Sequence, residues 1–270
     1  MNKKFNIPFF VIVFWFVCAI LGFILPFQPD DIVLSKILLS PNWEQWCGYD
    51  HLGRSICERL VMGAKTSLSV AIIVVSISFI IGTFFGVIGA WLGGIYDKFL
   101  VVIIDIFIAF PGILLAIAFA AMLSPGKYNL ILALSIGGWV GYARLSRGQT
   151  LLVKNYDFVK ASHTMGASGL WVIGRHIIPS LTTPLLVEAT YAFAGLIIAE
   201  ASLSFLGLGL QAPEASWGSM MRDSVRYLLV SPHYAFFVGV SIMSIVYCIN
   251  SAGDYMHRYW NIKIDQKEAL

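Results

Sequence analysis

Six stretches of this chain, residues 9–25, 68–92, 99–123, 130–152, 183–206 and 234–252, are long and apolar enough to cross about 30 Å of hydrocarbon, which takes roughly 17–25 residues of helix. Hydrophobic residues make up 58% of the sequence and charged residues 12%, about half the charged share of an ordinary soluble domain. A soluble fold of this size has no room to hide so much apolar surface. In a bilayer each backbone N–H and C=O must find its partner inside the spanning segment, which makes helices the solution at this length. The chain is therefore expected to be an all-α integral membrane protein with six transmembrane helices and no soluble catalytic domain attached. Lys3 and Lys4 precede the first stretch as they would in a signal peptide. The bulky run Gly22-Phe23-Ile24-Leu25-Pro26 offers no small-x-small cleavage pattern, so a retained helix is expected.

Basic residues orient the helices. With the N-terminus inside, the inner segments hold Lys3, Lys4, Lys98, Arg144, Arg147, Lys154, Lys160, Arg175, Arg258, Lys263 and Lys267. The outer segments hold Lys36, Arg54, Arg59, Lys65, Lys127, Arg222 and Arg226. Eleven against seven follows the positive-inside rule and returns the C-terminus to the cytoplasm. Two sizeable segments, 26–67 and 207–233, then lie outside. Trp43, Trp46, Trp217 and Tyr227 on them suit interfacial anchors. A net charge of +3, with no basic cluster among aromatics, gives no reason to expect nucleic acid.

The inner segment 155–179 is long for a connection between membrane helices, and it is patterned. Phe158, Ala161, Ser162 and Met165 recur at helical spacing, a small apolar stripe opposite Lys160, His163 and Thr164. Gly166 supplies a stop, and Pro179 is expected to break the chain before the next apolar run. The reading is a short amphipathic helix, a turn and a second short helix. Such a segment either docks a cytoplasmic protein or lies on the lipid headgroups.

These residues carry a resemblance. The segment resembles the EAA loop of permease subunits of bacterial ATP-binding-cassette importers, where Glu-Ala-Ala is followed by a glycine and later by Leu-Pro. Lys160-Ala161-Ser162 stands at the Glu-Ala-Ala place, with Val159 before it, Gly166 at the glycine and Ile178-Pro179 at the Leu-Pro. Lys160, Ser162 and Ile178 depart from that pattern. Tyr49-Asp50-His51-Leu52-Gly53-Arg54 resembles the Thr-Asp-x-x-Gly-Arg signature of the dipeptide, oligopeptide and nickel permeases. Ser204-Phe205-Leu206-Gly207-Leu208-Gly209, followed by Pro213 and Trp217-Gly218, resembles the segment after their fifth helix, and Phe110-Pro111 fits their third. The likeness runs from about Trp43 to Asp254 and is nearest to the C-type permease of a heterodimeric pair.

The resemblance implies a type I ABC importer permease fold: 1–67 as the first transmembrane helix and outer segment, 68–254 as the core transmembrane domain, and 255–270 as a cytoplasmic tail. It implies a homologous permease subunit, two cytoplasmic ABC ATPase subunits and a periplasmic or lipid-anchored substrate-binding protein, all at the bacterial inner membrane. The sequence has no Gly-x-x-x-x-Gly-Lys-Ser/Thr phosphate loop, so no cofactor is expected on this chain, and ATP and magnesium belong to the partner ATPases. Closure of those ATPases would act through the helix at Phe158–Met165. The expected cargo is a di- or oligopeptide, with nickel or a nickel chelate as the alternative.

Other residues were weighed from the sequence alone. Ser78, Gly82, Gly86 and Ala90 form a small-xxx-small stripe for close helix packing, in this chain or against the sister subunit. Pro111 is expected to kink its helix. Asp105, Glu188 and Glu200 are the acids within apolar stretches, and an ionisable group at that depth marks a functional hypothesis. Glu200, with Ser202, either faces the translocation pathway or pairs with an arginine of the outer loops. Asp105 and Glu188 read as interfacial. Five scattered histidines make no metal-ligand spacing. Cys18 and Cys248 read as apolar filler, whereas Cys47 and Cys57 share the oxidising side and either pair or stay free. A stand-alone channel or secondary transporter would show inverted repeats or a line of intramembrane charges, and neither is visible.

Overall fold

In a computed structural model, which describes residues 3–25, 27, 29–43 and 45–268, all six apolar stretches recur as helix. Helix α1 spans Lys3–Ile24, α2 Ile56–Leu92, α3 Gly94–Ile108, α4 Gly112–Met122 and α5 Lys127–Lys154. Then come α6 (Asp157–Thr164), α7 (Gly169–Val172), a π-helical turn (Ile173–Ile177), α8 (Ile178–Phe205), α9 (Trp217–Val225) and α10 (Pro232–Glu268). Four helical runs are long and apolar enough to span a membrane by themselves, and the bent α3–α4 pair makes a fifth. The side chains of Lys3, Lys4, His163, Lys263 and Lys267 lie outside the described set.

Helix α5 is the least apolar of the long helices around it and carries Arg144 and Arg147, and its position accounts for that. It packs along α2 and against α8, α4 and α3, so much of it meets protein rather than lipid. The small-residue stripe of α2 makes the approach possible. A Cβ on Gly82 would strike the backbone at Trp139 and the side chain of Tyr142, and one on Gly86 would strike Ser146 and Ala143. The stripe's partner is thus within this chain, and Ser146 Oγ reaches across to the Gly82 carbonyl at 3.4 Å. Without a hydrophobic drive between helices in lipid, such close backbone approach is what holds them together.

Three expectations are corrected. The stretch 99–123 is not one kinked helix: α3 and α4 meet at 82° across Ala109-Phe110-Pro111. Proline removes a donor and pushes the residue before it out of the helical region, and the following Gly112 lets a new helix start at a sharp angle. Helix α2 begins at Ile56, well before Leu68, because Ser55 caps it by accepting from the Glu58 N–H at 3.4 Å. Pro179 does not break the chain. It occupies the first turn of α8, where a missing N–H costs nothing, and the helical path is continuous from Gly169 to Phe205.

At the far end of the bundle, Trp217 is wholly buried and so cannot be an interfacial anchor. Its Nε1–H donates to the Leu60 carbonyl at 3.1 Å, and its ring meets Trp15 edge-on at 5.0 Å. Tyr227 stacks on His51 at 5.3 Å. Trp43 and Trp46, 97% and 76% exposed, are the two of the four that remain free to meet lipid or a partner. Helix α10 runs through the 254/255 boundary without interruption.

Candidate functional site

At one end of the bundle, α6 is a separate eight-residue helix held between the end of α5 and the turn leading into α8. Its C-terminus closes as the pattern predicts: Gly166 takes φ +89°, and the Ala167 N–H bonds the Ser162 carbonyl at 3.0 Å in a six-to-one turn. The face it buries against its own chain centres on Val159 and Ser162. Val159, 1% exposed, enters a cluster with Val172, Ile177 and Leu181, and Ser162 sits beside it at 8%. Phe158 and Met165, 51% and 81% exposed, flank Ser162 at the edge of that buried face, Phe158 with its ring edge-on to His176, while Ala161 and Lys160 are exposed. Lys160 reaches only Asp157, at 3.9 Å and in full solvent, a pair worth little.

The exposed apolar surface continues through Leu170 and Trp171, and Ile178 and Pro179 are also at the surface. Between α6 and α7 lies an open cleft of about 490 Å³ bordered by Ser162, Met165, Gly166 and Trp171. The arrangement is an apolar ridge with a cleft beside it, on a helix that its own chain covers on one side only.

The opposite end carries a braced loop. Asp50 is fully buried, and its Oδ1 accepts from the backbone N–H groups of Leu52 and Arg54 at 2.8 and 2.9 Å. Its Oδ2 takes Arg54 Nε at 2.7 Å and lies 3.6 Å from Arg59 Nε, while Arg59 also bonds Asp30 at 3.0 Å. Gly53 has φ +74°, and a Cβ there would run into the Val33 carbonyl. Cys47 and Cys57 are joined in a disulfide across this loop. Burial holds the His51 imidazole below its usual pKa, with Asp50 and Asp223 opposing that and Arg54 and Arg59 adding to it. The signature Asp50, Gly53 and Arg54 thus builds one rigid turn, a role that spacing alone did not reveal.

The Ser204–Gly209 segment ends α8. Gly207, φ +84°, closes it with Gly207 N–H to Ser204 O at 3.1 Å and Leu208 N–H to Leu203 O at 2.9 Å. Gly209 lies against Ser204 with no room for a side chain.

Glu200 stands elsewhere than either reading placed it. It is fully buried inside the chain beside Ser67 and Ser216; its Oε1 accepts from Ser204 Oγ at 2.8 Å, and its Oε2 has no hydrogen-bond partner among the described residues. It lies where α8 meets α2 and the start of α9, and no outer-loop arginine pairs with it among the described residues. Ser202 lies two residues on, about 200° around the helix, so the two cannot share a face. Its hydroxyl bonds the Ile198 carbonyl at 2.8 Å. The Ser202 side of α8 includes Gly195 and Ile198, which border an apolar cavity of about 330 Å³ with Gly112, Ile113 and Gly137. Asp105 is exposed, and Glu188 is half-buried against Gly141.

Residues 78–262 match the family described as binding-protein-dependent transport system inner membrane component. The dipeptide transport system permease protein DppC of Bacillus subtilis is 38% identical over 259 residues, covering 94% of this chain and 80% of that protein. The glutathione transport system permease protein GsiD of Shigella sonnei is 36% identical over 246 residues, covering 91% and 81%. Among solved structures, a chain of the inward-facing MetNI methionine ABC transporter superposes with a TM-score of 0.61. It does so over 76% of this chain and 97% of its own, at 22% identity, a likeness of fold.

Proposed function

This chain belongs to the family of binding-protein-dependent transport system inner membrane components, and on that premise we propose that it forms half of an ATP-driven import pathway for di- or oligopeptides. The chain is the membrane-spanning permease subunit, and ATP hydrolysis resides in separate subunits. The peptide cargo rests on the relatives named for dipeptide and glutathione transport, which put peptides ahead of nickel. The other half of the pathway is a homologous permease, and the Gly195–Ile198–Ser202 side of α8, with its cavity, faces the route. Both termini lie in the cytoplasm, so α6 faces two ATPases that carry ATP and magnesium. The braced loop at Asp50–Arg54 and the Gly207–Gly209 turn face a periplasmic or lipid-anchored binding protein.

The observation that carries this reading is the ridge of Phe158, Met165, Leu170 and Trp171, apolar and half to mostly exposed. A headgroup-lying helix would sink one continuous apolar face into lipid, with its lysines on the opposite face. Here the ridge borders a cleft that can receive a partner's side chain. A photo-reactive residue at Met165 in the assembled transporter tests it. Transfer to the ATPase is expected; transfer to lipid alone refutes the docking.

A further inference from the structure

His176 lies in the π-helical turn, within the 155–179 segment but at none of the positions that carry its resemblance. Its ring is held between two others: Phe158 of α6 and Trp171 of α7 each meet it edge-on, with centroids 5.3 Å away. Its Nε2 stands 3.3 Å from Ser162 Oγ. That hydroxyl has one proton, which it gives to the Phe158 carbonyl at 2.8 Å, so it receives the His176 Nε2–H. One imidazole therefore touches α6 at two residues and α7 at a third.

The π-helical turn makes this reach possible. The Ile178 N–H bonds the Ile173 carbonyl, five residues back, directly before Pro179, which has no N–H to offer. The extra residue rotates everything upstream by about 100° relative to α8, which turns His176 toward α6. The backbone that carries His176 then runs unbroken into α8, the helix that holds Glu200 and borders the cavity.

We infer that His176 is the positioning residue that fixes the angle of α6 and passes its displacement into α8. The inference rests on the proposed docking of α6 to an ATPase. Ser162 stands where the resembled pattern has alanine, which has no hydroxyl to accept this bond, and the bond joins the helix that receives the force to the helix that lines the path.

The test uses the complete reconstituted transporter, measuring peptide taken up per ATP hydrolysed, with co-purification of the ATPase as the control. His176→Ala is expected to lower that ratio about three- to tenfold, the scale set by one neutral hydrogen bond and a ring contact, while the ATPase still co-purifies. His176→Gln, which keeps an N–H near the Nε2 position, should recover part of the loss. Ser162→Ala should lower the ratio by itself, and the double variant should be no worse than His176→Ala. An unchanged ratio in His176→Ala, or losses that simply add, overturns the inference and leaves the docking reading intact. If His176→Ala fails to assemble, Ser162→Ala decides: a normal ratio there overturns it equally. A wild-type chain that transports peptide with no ATPase bound overturns the docking reading instead.

Discussion

Replacing Gly166 separates backbone strain from lost contact more cleanly than any other change in α6. Its φ is +89°, and no atom lies within 4 Å of where a Cβ would stand. A side chain there meets nothing of its own chain, so the cost to the fold of this subunit is conformational: about 1–2 kcal/mol for an L-residue in the left-handed region, and more for a β-branched one. One to two kcal/mol is about a five- to thirtyfold shift in population. The cost falls on the turn that holds the Ala167-to-Ser162 bond, with the transmembrane helices outside it. Transport and substrate-stimulated ATP hydrolysis should therefore decline together, in the order Gly, Asn, Ala, Val, with Asn near wild type because it tolerates this conformation. Membrane insertion and yield should be unchanged. Uptake into proteoliposomes with parallel phosphate release measures both rates. A valine variant at the wild-type rate, or an asparagine variant as poor as valine, refutes the reasoning.

Three further changes bear on other parts of the molecule. Asp50→Asn leaves two buried guanidiniums short of their anion and should cost about 3–5 kcal/mol, less whatever Asp30 retains on Arg59, read as a lower Tm in detergent; an unchanged Tm would mean that the loop does not depend on the network. His51 has a folded pKa below its usual 6.5, so the unfolded chain binds more protons. The stability it contributes is full above that value and is lost as pH falls through the folded pKa. His51→Phe, which keeps the stack on Tyr227, should flatten the fall in Tm on the acid side, and a curve parallel to wild type would count against the assignment. Glu200→Ala should reduce Tm and yield, and Glu200→Gln less so, with transport per assembled complex unchanged; a selective loss of transport at normal Tm would restore it to the pathway.

The helices, their order and the α6 turn were legible because each depends on local rules: apolar length, a glycine at a helix end, small residues at four-residue intervals. What escaped depends on tertiary neighbours. Phe158 and Met165 stand out as the apolar stripe of α6, but which side its own chain covers shows only once Val159 is seen to fit the cluster beneath it. Glu200 looks like a pathway acid until it is seen wholly buried inside the chain, bonded to Ser204 of its own helix. His176 gave no signal, since its partners on α6 and α7 depend on a one-residue π insertion. The hint in the sequence was a histidine three residues before Pro179, between the compared Gly166 and Ile178-Pro179.

Uptake of a labelled dipeptide into proteoliposomes tests the central claim most directly. The vesicles would hold this chain, its partner permease and the ATPases, with binding protein added on the receiving side. The account predicts uptake that requires both ATP on the α6 side and the binding protein. Uptake by this chain alone, driven by an ion gradient and indifferent to ATP, would contradict it.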